Sequence, residues 1–129
     1  MITRDGAFAQ YILVQKRHVD KPFTNTKRML RRDMLPQQAA EVIVDEINSD
    51  AQIFDPQVIE RVPAKVNEYD GFRIVFTYKS KYGTRYKTMY YGFLKGRWLY
   101  SLRYSALESK YSEEDVRAFE KVMGSLKIE

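Results

Sequence analysis

The sequence predicts an α+β domain: a mainly antiparallel sheet of about five strands with two or three helices packed on it. Three observations carry this. Phe72, Ile74, Phe76 and Tyr78 alternate with Arg73, Val75, Thr77 and Lys79, a period-2 pattern. Two glycine turns, Lys81-Tyr82-Gly83 and Lys95-Gly96, join three long β-favouring runs into a meander. Two other segments, opening at Pro36 and near Ser112, repeat apolar residues at helical spacing instead.

The elements follow in the order β, α, β, β, β, β, α. Phe8 to Val14 is apolar and β-favouring, and Lys21-Pro22 ends that region. Thr24 or Thr26 is placed to cap a short helix with Met29 and Leu30 turned inward. Leu35-Pro36 interrupts it, because the residue before a proline avoids helical geometry. Pro36 then suits the first position of a new helix. Ala39 or Ala40, Ile43, Val44 and Ile47 share one face of that helix, and Asn48-Ser49-Asp50 ends it. Gln57 to Val62 reads as a short strand stopped by Pro63, and Asp70-Gly71 as a turn. Thr84 to Phe93 is the next strand. Arg97 to Ala106 follows, with Trp98, Tyr100, Leu102, Tyr104 and Ala106 on one face. Ser112 followed by three acids opens the last helix, whose apolar stripe is Val116, Phe119, Met123 and Leu126. No repeat or linker divides the chain, so residues 1–129 read as a single domain.

Composition removes most catalytic chemistry. The 129 residues include no cysteine and one histidine, His18. Disulfides, thiol nucleophiles, Cys-ligated metals and two-histidine sites from this chain are thereby excluded. No Walker, dinucleotide-binding, nucleophile-elbow or EF-hand motif occurs. His18 sits among bases in KRHVDK, with Asp20 the nearest carboxylate. Glu41 and Asp45 stand four apart on a helix, as a pair binding a hard cation would, and as any solvated helical face would. Asp45 and the adjacent Glu46 diverge. No metal site and no cofactor are expected.

Charge comes in blocks. The net charge of +5 is the remainder of +6 over residues 16–32, −7 over 33–70, +8 over 71–110 and −2 over 111–129. Blocks that cancel in this way predict segments that neutralise one another in the fold. Residues 69–104, which overlap the second basic block, also hold eight of the ten tyrosines. Aromatic platforms flanked by bases grip single-stranded nucleic acid. The same residues also stabilise a sheet by pairing across strands. Arg73, Arg85, Lys87, Tyr91 and Arg103 are the candidate partner-binding residues in this stretch.

The last third, TMYYGFLKGRWLYSLRYSALESKYSEEDVRAFEKVMGSLKI, reads as strand, glycine turn, strand ending in Ala, acidic opening and helix closing in Gly-Ser-Leu. This cadence resembles the carboxy-terminal part of PsbP-like domains, named for a photosystem II accessory protein. MLPQQAAEVIVDEI and IERVPAKVNEYDGFRIVFTYKS look similar to bacterial envelope lipoprotein domains of unknown function placed near that fold. The resemblance implies an antiparallel sheet flanked by helices and an accessory or binding role, usually exported. It carries over no functional residue, because Trp98, Tyr104, Ala106, Phe119 and Ser125 fit as packing features.

Three functions compete on these grounds. The first is a non-enzymatic envelope domain that binds a protein or small ligand in a groove between sheet and helix. The second is a cytoplasmic domain that binds single-stranded nucleic acid on the basic aromatic sheet. The third is an enzyme with carboxylate chemistry around Glu41 and Asp45. Apolar alternation starts almost at Met1, as in a mature domain cut from an exported precursor. A periplasmic or envelope location follows in that case, and a cytoplasmic one if Met1 is the natural start. No apolar run reaches membrane-spanning length. Membrane association is therefore expected only through an N-terminal anchor that the sequence itself lacks.

Overall fold

The most regularly alternating run lies inside the sheet. In a computed structural model, which describes residues 2–3, 10–31, 33–66, 68–110 and 113–124, it belongs to β4 (Tyr69–Lys79). The other elements are β1 (Ile2–Thr3), β2 (Gln10–His18), α1 (Pro36–Asn48), β3 (Phe54–Val66), β5 (Arg85–Lys95), β6 (Trp98–Leu107) and α2 (Glu113–Gly124). The strands form one antiparallel sheet in the order β1-β2-β6-β5-β4-β3. Among the described residues, five long strands, a two-residue edge strand, two α-helices and a single 3-10 turn (Glu108–Lys110) make the α+β architecture. β3 to β6 form the meander, and β2 closes onto the outer side of β6. Phe8 and Ala9, Ser112, Ser125 and Leu126 lie outside the described residues.

Alternation assigns a core to each face of the sheet. Phe72, Ile74, Phe76, Tyr90 and Leu99 face α1, where they meet Ala39, Ala40, Val42 and Ile43. Val75, Met89, Tyr91, Phe93, Leu102 and Tyr104 face the other way, toward Phe119 of α2. α1 begins at Pro36, as expected. The backbone N–H of Leu35 donates to Gln38 Oε1 at 2.9 Å, which satisfies a donor the helix start leaves free.

Four expectations need correction. Pro63 does not stop β3, which runs on to Val66. β3 is an edge strand, so the N–H that proline lacks can be dispensed with. Asp70-Gly71 is not a turn but lies within β4, paired with Lys65 and Ala64. Gly71 is needed there for close approach: a Cβ at this position would stand 2.1 Å from the Gly92 carbonyl oxygen of β5. The third correction concerns residues 24–30, which make turns and no helix. Phe23 and Arg28 are bridged by a 2.9 Å backbone hydrogen bond, and Lys27 has a φ of 61°. A helix this short would fix several residues for few bonds. Here the N–H groups of Asn25 and Thr26 donate to the Glu46 carboxylate instead, at 3.1 and 3.0 Å. Leu30 is buried as expected, whereas Met29 is 54% exposed.

The charge blocks meet as ion pairs. Arg28 pairs with Asp45, joining the first basic block to α1. Arg73 pairs with Glu60 at 2.5 Å and Arg85 with Asp55 at 3.3 Å, joining β4 and β5 to the acidic block through β3 and its start. Glu46 adds a pH dependence. Burial opposes its charge, but the hydrogen bonds from Thr26 and Asn25 outweigh that and hold its carboxyl below the usual value of 4.5. The folded protein therefore binds this proton less readily than the unfolded chain. The contribution of Glu46 is complete above the unfolded value and is lost as pH falls through the lower folded one. Amide protection at Asn25 and Thr26 is expected to fall in that acidic window, and Glu46→Gln to show the loss already at neutral pH. Hydrogen exchange followed by NMR measures both.

Candidate binding groove between α1 and the sheet

α1 packs on β3, β4 and β5, which leaves the β2–β6 half of the same sheet face uncovered by helix. The segment after β2 folds back to form the opposite wall. Glu46 and Asp45 hold that segment to α1 through Asn25, Thr26 and Arg28. Between them runs a groove of about 590 Å³. This is within the usual range for a site that takes a small organic ligand, roughly 300–1,000 Å³.

The groove has an apolar side and a polar floor. Ile43 and Ile47 of α1, Phe76, Tyr90 and Leu99 supply apolar surface. Ser101 and Ser105 of β6 and Thr88 of β5 supply the floor, all nearly fully buried. The Thr88 and Ser105 hydroxyls bond each other at 2.8 Å, so the floor spends these groups internally. Trp98, the only tryptophan, lines one end and is 36% exposed.

Lys16, Arg17, Lys21 and Arg103 line the groove against two acids, Glu46 and Asp50. Both acids have partners: Glu46 as described, and Asp50 Oδ1 accepting from the Gln52 N–H at 2.8 Å. Arg17 donates from Nη2 to the Pro22 carbonyl at 2.8 Å and stacks its guanidinium over Phe23, 4.1 Å from the ring centre. The Arg103 guanidinium lies 5.0 Å from the centre of the Tyr90 ring. The Nε atoms of both arginines are buried, and neither has a hydrogen-bond partner among the described residues.

The five residues singled out from sequence do not converge. Arg73, Arg85, Lys87 and Tyr91 lie on the α2 side of the sheet, whereas Arg103 lies on the α1 side. Arg73 bonds Glu60 and, at 3.4 Å, the hydroxyl of Tyr91; the Tyr91 bond, opposed by burial and helped by Glu60, raises the guanidinium pKa. Tyr91 is buried against Phe119. Arg85 bonds Asp55 and Thr77. Lys87 also has an interaction partner. On the same side Tyr69, Phe93 and Tyr100 stack in a row at 4.8 and 5.2 Å, so these rings use their faces on one another.

The other candidates are also accounted for. Nδ1 of His18 accepts the Asp20 N–H at 3.1 Å, and the ring stands edge-on to Trp98 at 5.0 Å. Asp45 is taken by Arg28, and Glu41 is exposed. Among the described residues no group of three or more His, Asp or Glu side chains could hold a metal ion. No helix among them is long and apolar enough to cross a membrane.

Sequence reasoning passed over Arg17, Thr88, Tyr90 and Ser105. The signal for Ser105 was the stripe Leu99, Ser101, Arg103, Ser105 on β6, the alternate positions to the aromatic stripe; Arg17 on β2 and Thr88 and Tyr90 on β5 are its paired positions, opposite Leu99, Ser105 and Arg103.

No protein-family model and no curated protein matches the chain. Its fold is similar to the crystal structure of a Pseudomonas aeruginosa protein of unknown function described as a candidate regulator. The two share 11% identity over 98% of this chain and 89% of the other, with a TM-score of 0.60. At that identity the likeness establishes a shared architecture.

Proposed function

We propose that the chain is a non-enzymatic binding domain, an accessory of the bacterial cell envelope, and that it takes its ligand into the groove between α1 and the sheet. The observation that carries the reading is the groove itself: a concave site of about 590 Å³ with one apolar side and a few placed polar groups. The envelope location draws on the PsbP-like and lipoprotein-like cadence. Fractionation of the source cells tests it, with recovery in the cytosol as the contrary result. A grip on single-stranded nucleic acid finds less support. Bases need free ring faces and unpaired cations, whereas Tyr69, Phe93 and Tyr100 stack on each other and Arg73 and Arg85 are paired.

Nile red, a neutral apolar dye, tests occupancy without regard to charge. We expect saturable binding of one dye per chain, abolished by Ser101→Phe, which fills the floor. Absence of saturable binding, or equal binding by the filled variant, would overturn the reading.

A further inference from the structure

We propose that the groove contains an anion subsite centred on Arg103, and that its ligand is a small amphiphile with a compact oxyanion head and an apolar body. This rests on the groove being the binding site and names the class of ligand it takes.

A guanidinium carries five N–H donors and cannot be discharged, so its burial without acceptors is costly. Arg103 lies over Tyr90 on the wall of the groove, and its buried Nε has no hydrogen-bond partner among the described residues. Neither nearby acid is paired with it among the described residues: Glu46 accepts from Asn25 and Thr26, and Asp50 from Gln52. Two of the three floor hydroxyls, those of Thr88 and Ser105, bond each other. Four basic side chains thus line the groove against two acids, and Arg103 Nε has no acceptor among the described residues.

Arg17 differs in role. Its Nη2 already bonds the Pro22 carbonyl, and its plane rests on Phe23. It holds the wall and adds positive potential. In the β2–β6 register Arg17 stands opposite Leu99, four residues along β6 from Arg103. At about 3.4 Å per residue this puts the two Cα positions over 10 Å apart. One oxyanion on Arg103 therefore leaves space along Leu99 and Phe76 toward Ile43 and Ile47 for an apolar body. A fork of N–H donors suits the two oxygens of a carboxylate or of a phosphate monoester.

The test titrates decanoate, decyl phosphate and neutral decanol against the intact protein, read by Trp98 fluorescence and by equilibrium dialysis. Decanoate or decyl phosphate is expected to bind about tenfold or more tightly than decanol. The stronger of the two identifies the head group. Arg103→Met keeps an apolar side chain over Tyr90 and is expected to remove that preference. Its melting temperature should be unchanged or higher, because a buried Nε–H without a partner is gone from a half-buried arginine; a purely structural arginine would lower it. Arg103→Lys is expected to bind with intermediate strength. Lys65→Gln, at an exposed position on β3, should behave as the parent. Equal binding of decanoate, decyl phosphate and decanol would overturn the anion subsite while leaving the groove occupied. Failure of all three, together with Nile red, would overturn the groove itself.

Discussion

Replacing Phe119 by alanine is expected to cost about 3–5 kcal/mol, the range for emptying a large aromatic from a core. Phe119 is fully buried and lies 5.9 Å from the Tyr91 ring and 6.0 Å from the Tyr104 ring, centre to centre. Among the described residues it is the one fully buried side chain of α2, with Val116 packed partly beside it. The first turn of α2 carries Glu113, Glu114 and Asp115, which favour the helix dipole but bury little. Among the described side chains, the helix therefore docks mainly through one ring. Urea unfolding should show a lower midpoint, and Phe119→Leu should recover most of the loss. Exchange protection in α2 is expected to fall further than protection in β5. A Phe119→Ala protein as stable as the parent would mean that α2 is held by something else.

Gly71→Ala is the second large effect, and its cause is backbone geometry. The added Cβ would stand 2.1 Å from the Gly92 carbonyl oxygen and 2.9 Å from Phe93 Cβ. The first clash is with backbone, so no rotamer change relieves it; β4 and β5 must separate. Overpacking ordinarily costs roughly 1–3 kcal/mol, and a backbone clash belongs at or above the top of that range. Gly92→Ala supplies the comparison. Its Cβ would meet Phe72 Cζ at 2.6 Å, the far end of a ring that can shift within its stack on Tyr90. Equilibrium unfolding should rank Gly71→Ala as the more damaging. The reverse order would contradict the paired register of Gly71 with Phe93.

These two glycines also show why the sequence was partly legible. The period-2 run in β4 and the helical stripe of α1 are local patterns, and local patterns survive into the structure. Asp70-Gly71 carries the same local signature as a turn, but tertiary approach decided its use. Pro63 was misread for a similar reason: proline ends an interior strand but not an edge strand, and edge position is a property of the whole sheet. The turn at 24–26 depends on Glu46, twenty residues away in sequence.

The candidate site was less legible because parity changes between hairpins. Paired positions on β4 and β5 share parity, as with Arg73 opposite Tyr91. The two-residue loop Gly96-Arg97 reverses parity between β5 and β6, setting Tyr90 opposite Arg103. Arg103 therefore left the company of Arg85, Lys87 and Tyr91. That step can be read from the loop length. Where α1 comes to rest cannot, and the groove exists only because α1 covers β3 to β5 and leaves β6 open.

The most direct test is an NMR chemical-shift map recorded on the intact chain during a decanoate titration. Perturbations are expected to cluster at Tyr90, Leu99, Ser101 and Arg103, with Trp98 at the groove end and Ile43 and Ile47 on α1. Perturbations clustered instead around Tyr91, Met89 and Phe119 on the opposite face would contradict the groove as the binding site.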